Sequence, residues 1–181
     1  MPIKFWLVFV LSVRRLTLFI LLLTLSACNS NPLIVEISDC PAVGLVRYAN
    51  SLTAFAPGVT PVAGEVSHKA VFSSLEVDCQ DKGEGVRTFV DFTISAKAGP
   101  KLIAEQIDIL YFVVVARDGD DLQSKRIYTT SVSLDSVDGR GEVRERLEFN
   151  IPTNRQADRY LYEVLIGFEL SDAEARYNLE S

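Results

Sequence analysis

The sequence predicts an all-β fold, an antiparallel β-sandwich with a short C-terminal helix. Three observations predict it. Apolar and polar residues alternate with period two in six segments, the pattern of strands with one buried face. The stretches between them, DKGEG, RDGDD and DSVDGRG, are rich in the Gly and Asp that turns require. The alternation then stops at SDAEARYN, where Ser171 and Glu174 have the spacing of a helix capping box.

Taken in order, GLVRYANSLTAFA is ambiguous. Leu45, Tyr48, Ala49, Leu52 and Phe55 have helical spacing, whereas Val46, Tyr48 and their neighbours tolerate a strand. APGVTPVAG after it reads as a loop. In AVFSSLEVDC the alternation places Val71, Leu75, Val77 and Cys79 on one face, and Ser74, Glu76 and Asp78 on the other. RTFVDFTISAK puts Val90, Phe92, Ile94 and Ala96 inward.

IDILYFVVVA has almost no polar face, which predicts a central strand covered on both sides. RIYTTSVSLD turns Tyr128, Thr130, Val132 and Leu134 inward, and VRERLEFNI does the same with Val143, Leu147, Phe149 and Ile151. Pro152 stops that run, because proline cannot donate to a ladder. In YLYEVLIGFEL the inward row is Tyr160, Tyr162, Val164, Ile166, Phe168 and Leu170.

Short strands with turns at this spacing are arranged as two packed sheets in the immunoglobulin or fibronectin III manner. The immunoglobulin core tryptophan between two cysteines is missing: the only Trp is Trp6, and Cys40 precedes every predicted strand.

The first 27 residues contain no acidic side chain, carry Lys4, Arg14 and Arg15, and continue through LTLFILLLTLSA into Cys28. That is a basic region, an apolar core and small residues before a cleavage point. The run Leu16–Leu25 is shorter than the roughly 20 residues a membrane span needs. A second apolar stretch precedes Arg14, so a leader starting near Val13 would have the more ordinary length.

Leu25-Ser26-Ala27-Cys28 resembles the bacterial lipobox, in which lipoprotein signal peptidase cuts before a diacylated cysteine. The resemblance covers the targeting segment alone. It implies a signal peptide over residues 1–27, an acylated Cys28 with a short tether over 28–33, and one β-sandwich domain over 34–181. It also implies a membrane anchor through lipid on Cys28. With Asn29 rather than aspartate after the cysteine, the expected location is the periplasmic face of the outer membrane.

Removing residues 1–27 takes away three of the 18 basic residues and none of the 24 acidic ones, leaving a net charge near −9. That balance argues against nucleic acid, which is bound by neutralising phosphates. With Cys28 acylated, Cys40 and Cys79 remain as a pair in an oxidising compartment, where a structural disulfide is expected.

Candidate chemistry is thin. His68 is the only histidine, near Ser67, Ser73 and Ser74, but proximity in sequence does not make a catalytic set. Zinc spacing is missing. Asp118, Asp120 and Asp121 lack the ligand pattern of a calcium loop and read as a solvated hairpin turn. Glu142 and Glu148 read as a solvated strand face. Glu145 falls on the inward row, where it is expected either to face a partner such as Arg126 or Arg159 or to mark the end of the core.

Tyr111, Tyr128, Tyr160, Tyr162 and Tyr177 read as core fillers with hydroxyls at the rim. Arg87, Arg144 and Arg146 read as surface charge. The expectation is a non-enzymatic envelope module without cofactor or metal, binding a protein partner through a sheet edge or loop. The alternative is a periplasmic binder of a small molecule or glycan.

Overall fold

The alternating segments are strands of two four-stranded sheets in the computed structural model, which describes residues 40–152 and 156–180. Cys28, the leader 1–27 and the tether 28–33 lie outside the described residues. The strands are β1 (Ala42–Leu45), β2 (Ser51–Phe55), β3 (Val66–Asp81), β4 (Gly85–Ala98), β5 (Gln106–Arg117), β6 (Asp121–Ser133), β7 (Arg140–Pro152) and β8 (Tyr162–Phe168). One sheet has the order β1-β8-β5-β6 and the other β2-β3-β4-β7. All pairings are antiparallel except β1 with β8.

The ambiguous N-terminal stretch is therefore strand, turn, strand. Tyr48 sits in the left-handed region at φ 66°, which reverses the chain between β1 and β2. Asn50 then accepts from Phe72 N, while Ala49 accepts from Phe168 N, so this link joins both sheets. A helical turn could not span from one sheet to the other in so few residues.

The expected inward position of Val71 is corrected. Val71 is 45% exposed, and Phe72 turns inward instead. The ladder between β3 and β4 skips Ser73, with Phe72 opposite Ile94 and Ser74 opposite Thr93. This β-bulge inserts one residue and reverses the alternation, so Ala70 and Phe72 share a face with Leu75 and Cys79 beyond it.

The inward Phe72 continues a chain of five rings through the core. Phe168 stacks on Phe72 at 4.3 Å between centroids, Phe72 meets Phe92 at 5.5 Å, Phe92 meets Tyr111 at 5.4 Å, and Tyr111 stacks on Tyr128 at 5.3 Å. Two of these contacts cross between the sheets. Each aromatic pair adds about 0.5–1.5 kcal/mol beyond its buried area.

Two further expectations are corrected. The central strand β5 is paired on both edges, but its outer face is not covered, and Leu110 is exposed there. Tyr160 is not part of the last strand, because a 3-10 turn over Gln156–Leu161 breaks the alternation. That turn leaves Tyr160 exposed and buries Arg159, whose Nη2 donates to Asp81 Oδ2 at 2.6 Å.

The closing helix α1 (Asp172–Glu180) starts as its capping box requires. Glu174 N donates to Ser171 Oγ at 3.3 Å, and Ser171 N donates back to Glu174 Oε2 at 2.8 Å. Asn178 Nδ2 then donates to the carbonyls of Tyr48 and Ser51, and Tyr177 packs edge-on against Phe55 at 5.0 Å. The helix thereby covers the β2 side of the sandwich.

Cys40 and Cys79 form a disulfide, with Cα atoms 5.4 Å apart. It joins the residues just before β1, in one sheet, to β3 in the other. Cys79→Ala should lower unfolding stability by about 4 kcal/mol, the chain-entropy value for a loop with a sequence separation of 39. Urea unfolding of the oxidised protein and the variant measures it, and equal midpoints would contradict the assignment.

Candidate functional site

The most developed concavity lies where β6 and β7, the outer strands of the two sheets, face each other without forming a ladder. At one end they are pressed together. A Cβ on Gly141 would fall 2.1 Å from the Ser133 carbonyl oxygen, so only glycine permits that approach. Further along, Thr130 Oγ1 donates to Glu145 Oε1 at 2.6 Å, and the Tyr111 hydroxyl donates to Glu145 Oε2 at 3.4 Å.

Beyond this link the sheets part into a cleft of about 470 Å³. Its apolar wall is Val113, Val115, Phe149, Ile151 and Tyr162; its polar margin is Gln123, Ser124, Arg126, Glu148 and Asn150. Strand register explains this lining. Val113 lies opposite Arg126 and Val115 opposite Ser124, so all four share the inward face of their sheet. The first seven residues of β6, Asp121–Ile127, are all exposed.

The charges at the cleft are unequal in their engagement. Glu148 pairs with Arg87 at 3.1 Å on the outer face. Arg126 has no ion pair or hydrogen bond among the described residues, although it lies on the same inward row as Tyr128 and Thr130. The expected pairing of Glu145 with Arg126 or Arg159 is thus corrected: Thr130 and Tyr111 satisfy Glu145, and Arg159 pairs with Asp81.

The physical reason is placement. Arg126 and Thr130 are on one strand face, but Thr130 is the one level with Glu145. Burial and the adjacent Glu145 carboxylate push ionisation of the Tyr111 phenol far above its ordinary range, so it stays a hydrogen-bond donor.

The other candidates are dispersed. His68 Nδ1 lies 3.2 Å from Ser67 Oγ, a contact between chain neighbours. Glu174 influences its charge, yet the Glu174 Oε2 atom is engaged by Ser171. Ser73 and Ser74 join Ser95 and Thr93 in a hydroxyl network on the outer face of β3 and β4.

Asp118 and Gly119, both at positive φ, form the β5–β6 turn, as the Asp-Gly pair predicts. Glu142 accepts from Ser95 on the outer face, so it does not share a site with Glu145. Arg146 faces Asp91 at 3.8 Å, an exposed pair. Among the described residues no group of three or more His, Cys, Asp or Glu side chains is placed to hold a metal ion.

Comparison with protein families, curated proteins and solved structures finds no match to this chain. The site is therefore argued from its own residues.

In the sequence Arg126 stands out only as a partner for Glu145. The signal for the cleft was present as an inward-row cation followed toward the N terminus by small and polar residues, Ser124 and Gln123. What the sequence does not disclose is that β6 and β7 are both edge strands and lie side by side.

Burial lowers the pKa of His68, and the nearby Glu174 carboxylate offsets this only in part. The folded protein therefore resists protonating His68 while the unfolded chain accepts the proton near pH 6.5, so stability should fall as pH drops below about 6.5. Thermal melts between pH 7.5 and 5.5 should show a shallower decline for His68→Gln. Identical declines would mean that the half-buried imidazole does not set the acid limit.

Proposed function

We propose that this chain is a lipid-anchored, non-enzymatic binding module of the bacterial envelope. Acylated Cys28 holds it at the periplasmic face of the outer membrane, and an extended segment of a partner protein binds along the β6/β7 side. One observation carries the reading: two unpaired sheet edges flank an apolar cleft, while the opposite edges are occupied by the β1–β2 link and α1.

A free edge offers a row of main-chain donors and acceptors to an added strand, and pockets beside it select alternate side chains. Here the added strand would pair with β6 and place an apolar side chain against Val115, Phe149 and Ile151. Arg126 favours an acidic residue next to it.

A second occupant, a small molecule or glycan, is favoured by one feature of the same cleft. Its volume of about 470 Å³ and mostly apolar wall, with a few polar groups at the margin, suit a small ligand.

The discriminating experiment places a photocrosslinking residue at Ser124, or at the exposed loop residue Val62 as a control, in cells. A discrete protein adduct from position 124 alone, lost with Cys28→Ser, is the expected result. Cys28→Ser should also move the protein out of the membrane fraction. Equal adduct patterns from both positions would remove the protein-partner reading and leave the cleft to a small ligand, for which a thermal-shift screen with envelope glycans is the next measurement.

A further inference from the structure

The outer face of the β2-β3-β4-β7 sheet carries a second feature, independent of the cleft. Cross-strand register sets its charges in rows. Asp91 lies opposite Arg146 and approaches it at 3.8 Å; Arg87 reaches Glu148 at 3.1 Å; Ser95 lies opposite Glu142 and donates to it at 2.7 Å. Cations on this face thus tend to meet acceptors.

Arg144, opposite Thr93, makes no ion pair among the described residues, and one row goes further by setting cation against cation. Lys69 lies directly opposite Lys97, and Lys97 directly opposite Arg140, so three cations stand side by side across three strands. Like charges directly opposite one another destabilise a sheet. Lys69 and Lys97 form no ion pair among the described residues. Arg140 reaches only Asp138, at 4.0 Å, and that carboxylate already caps the Arg140 N–H through its other oxygen. This occurs in a chain whose overall charge is negative.

The row also borders two hollows. One of about 300 Å³ is lined by Val71, Ser95 and Gly141 beside the three cations. The other, about 270 Å³, lies across Lys69 and Lys97 toward Val66, Gly99 and Pro100. Gly99 is drawn in so closely that a Cβ there would stand 2.3 Å from the Val66 carbonyl oxygen, which keeps that floor low.

From these placements we infer that the Lys69–Lys97–Arg140 row is a binding site for a soluble oxyanion bearing two or more negative groups, of the diphosphate or phosphorylated-sugar class. Neighbouring strands are about 4.8 Å apart, so the row spans roughly 10 Å. A single oxyanion reaches two of the cations; a doubly charged one reaches all three. Ser95 stands at one margin, with its proton donated to Glu142. Glu142, on the same margin, disfavours an anion displaced from the row toward it, which fixes the ligand over Lys97. Binding relieves the repulsion that the apo protein retains.

The test uses the detergent-solubilised full chain in low-salt buffer, with inorganic pyrophosphate and orthophosphate as probes in isothermal titration and thermal melts. Pyrophosphate should bind saturably and more tightly than orthophosphate. Lys97→Gln should weaken it at least tenfold, while Lys82→Gln, which removes an equal charge at the far end of the sheet, should leave it unchanged. Without ligand, Lys97→Gln should melt higher than the parent protein, and added pyrophosphate should narrow that gap. No saturable binding, binding that survives Lys97→Gln, or equal losses in both variants would each overturn the assignment.

Discussion

The sandwich depends on the five-ring chain from Phe168 through Phe72, Phe92 and Tyr111 to Tyr128. It crosses the inter-sheet space twice and reaches from the closed side of the fold to the edge strand β6. Its continuity depends on the bulge at Ser73. Without that extra residue, Phe72 would point outward and Val71 inward, and the stacked contact with Phe168 would be lost. Near its other end the fourth ring, Tyr111, both stacks on Tyr128 and donates to the Glu145 carboxylate.

Glu145 consequently marks the boundary between packed core and open cleft. A carboxylate between sheets is costly unless its oxygens are satisfied, and here Thr130 and Tyr111 supply a donor to each. Gly141 holds the same two strands together on one side of this point, and their divergence on the other side forms the cleft. The concavity is thus a consequence of how the edges are held, and needs no irregular loop to create it.

Most of this was legible in the sequence. The fold class, the inward rows of β4, β6 and β7, the turn at Asp118-Gly119, the capping box and the Cys40–Cys79 pairing follow from alternation, turn chemistry and counting. The errors fall where a local rule is interrupted without a signal in composition. Ser73 looks like any solvent-facing serine, yet it is the bulge. Tyr160 fits the strand period, yet the 3-10 turn at Gln156–Leu161 buries Arg159 instead, compensated by Asp81. The cleft was least legible, since adjacency of β6 and β7 is a property of sheet order and not of either segment.

The two edge strands on the open side each carry an inward-row charge, Arg126 on β6 and Glu145 on β7. Inward charges are one way in which natural sheets prevent uncontrolled edge-to-edge pairing. The two residues are not equivalent, however. Glu145 is fully occupied by its own fold and can only exclude. Arg126, at the mouth, has nothing to hold, so it rejects an apolar strand in general while favouring one that brings an acceptor. On the proposed reading, the side chain that guards the edge also sets which strand it admits.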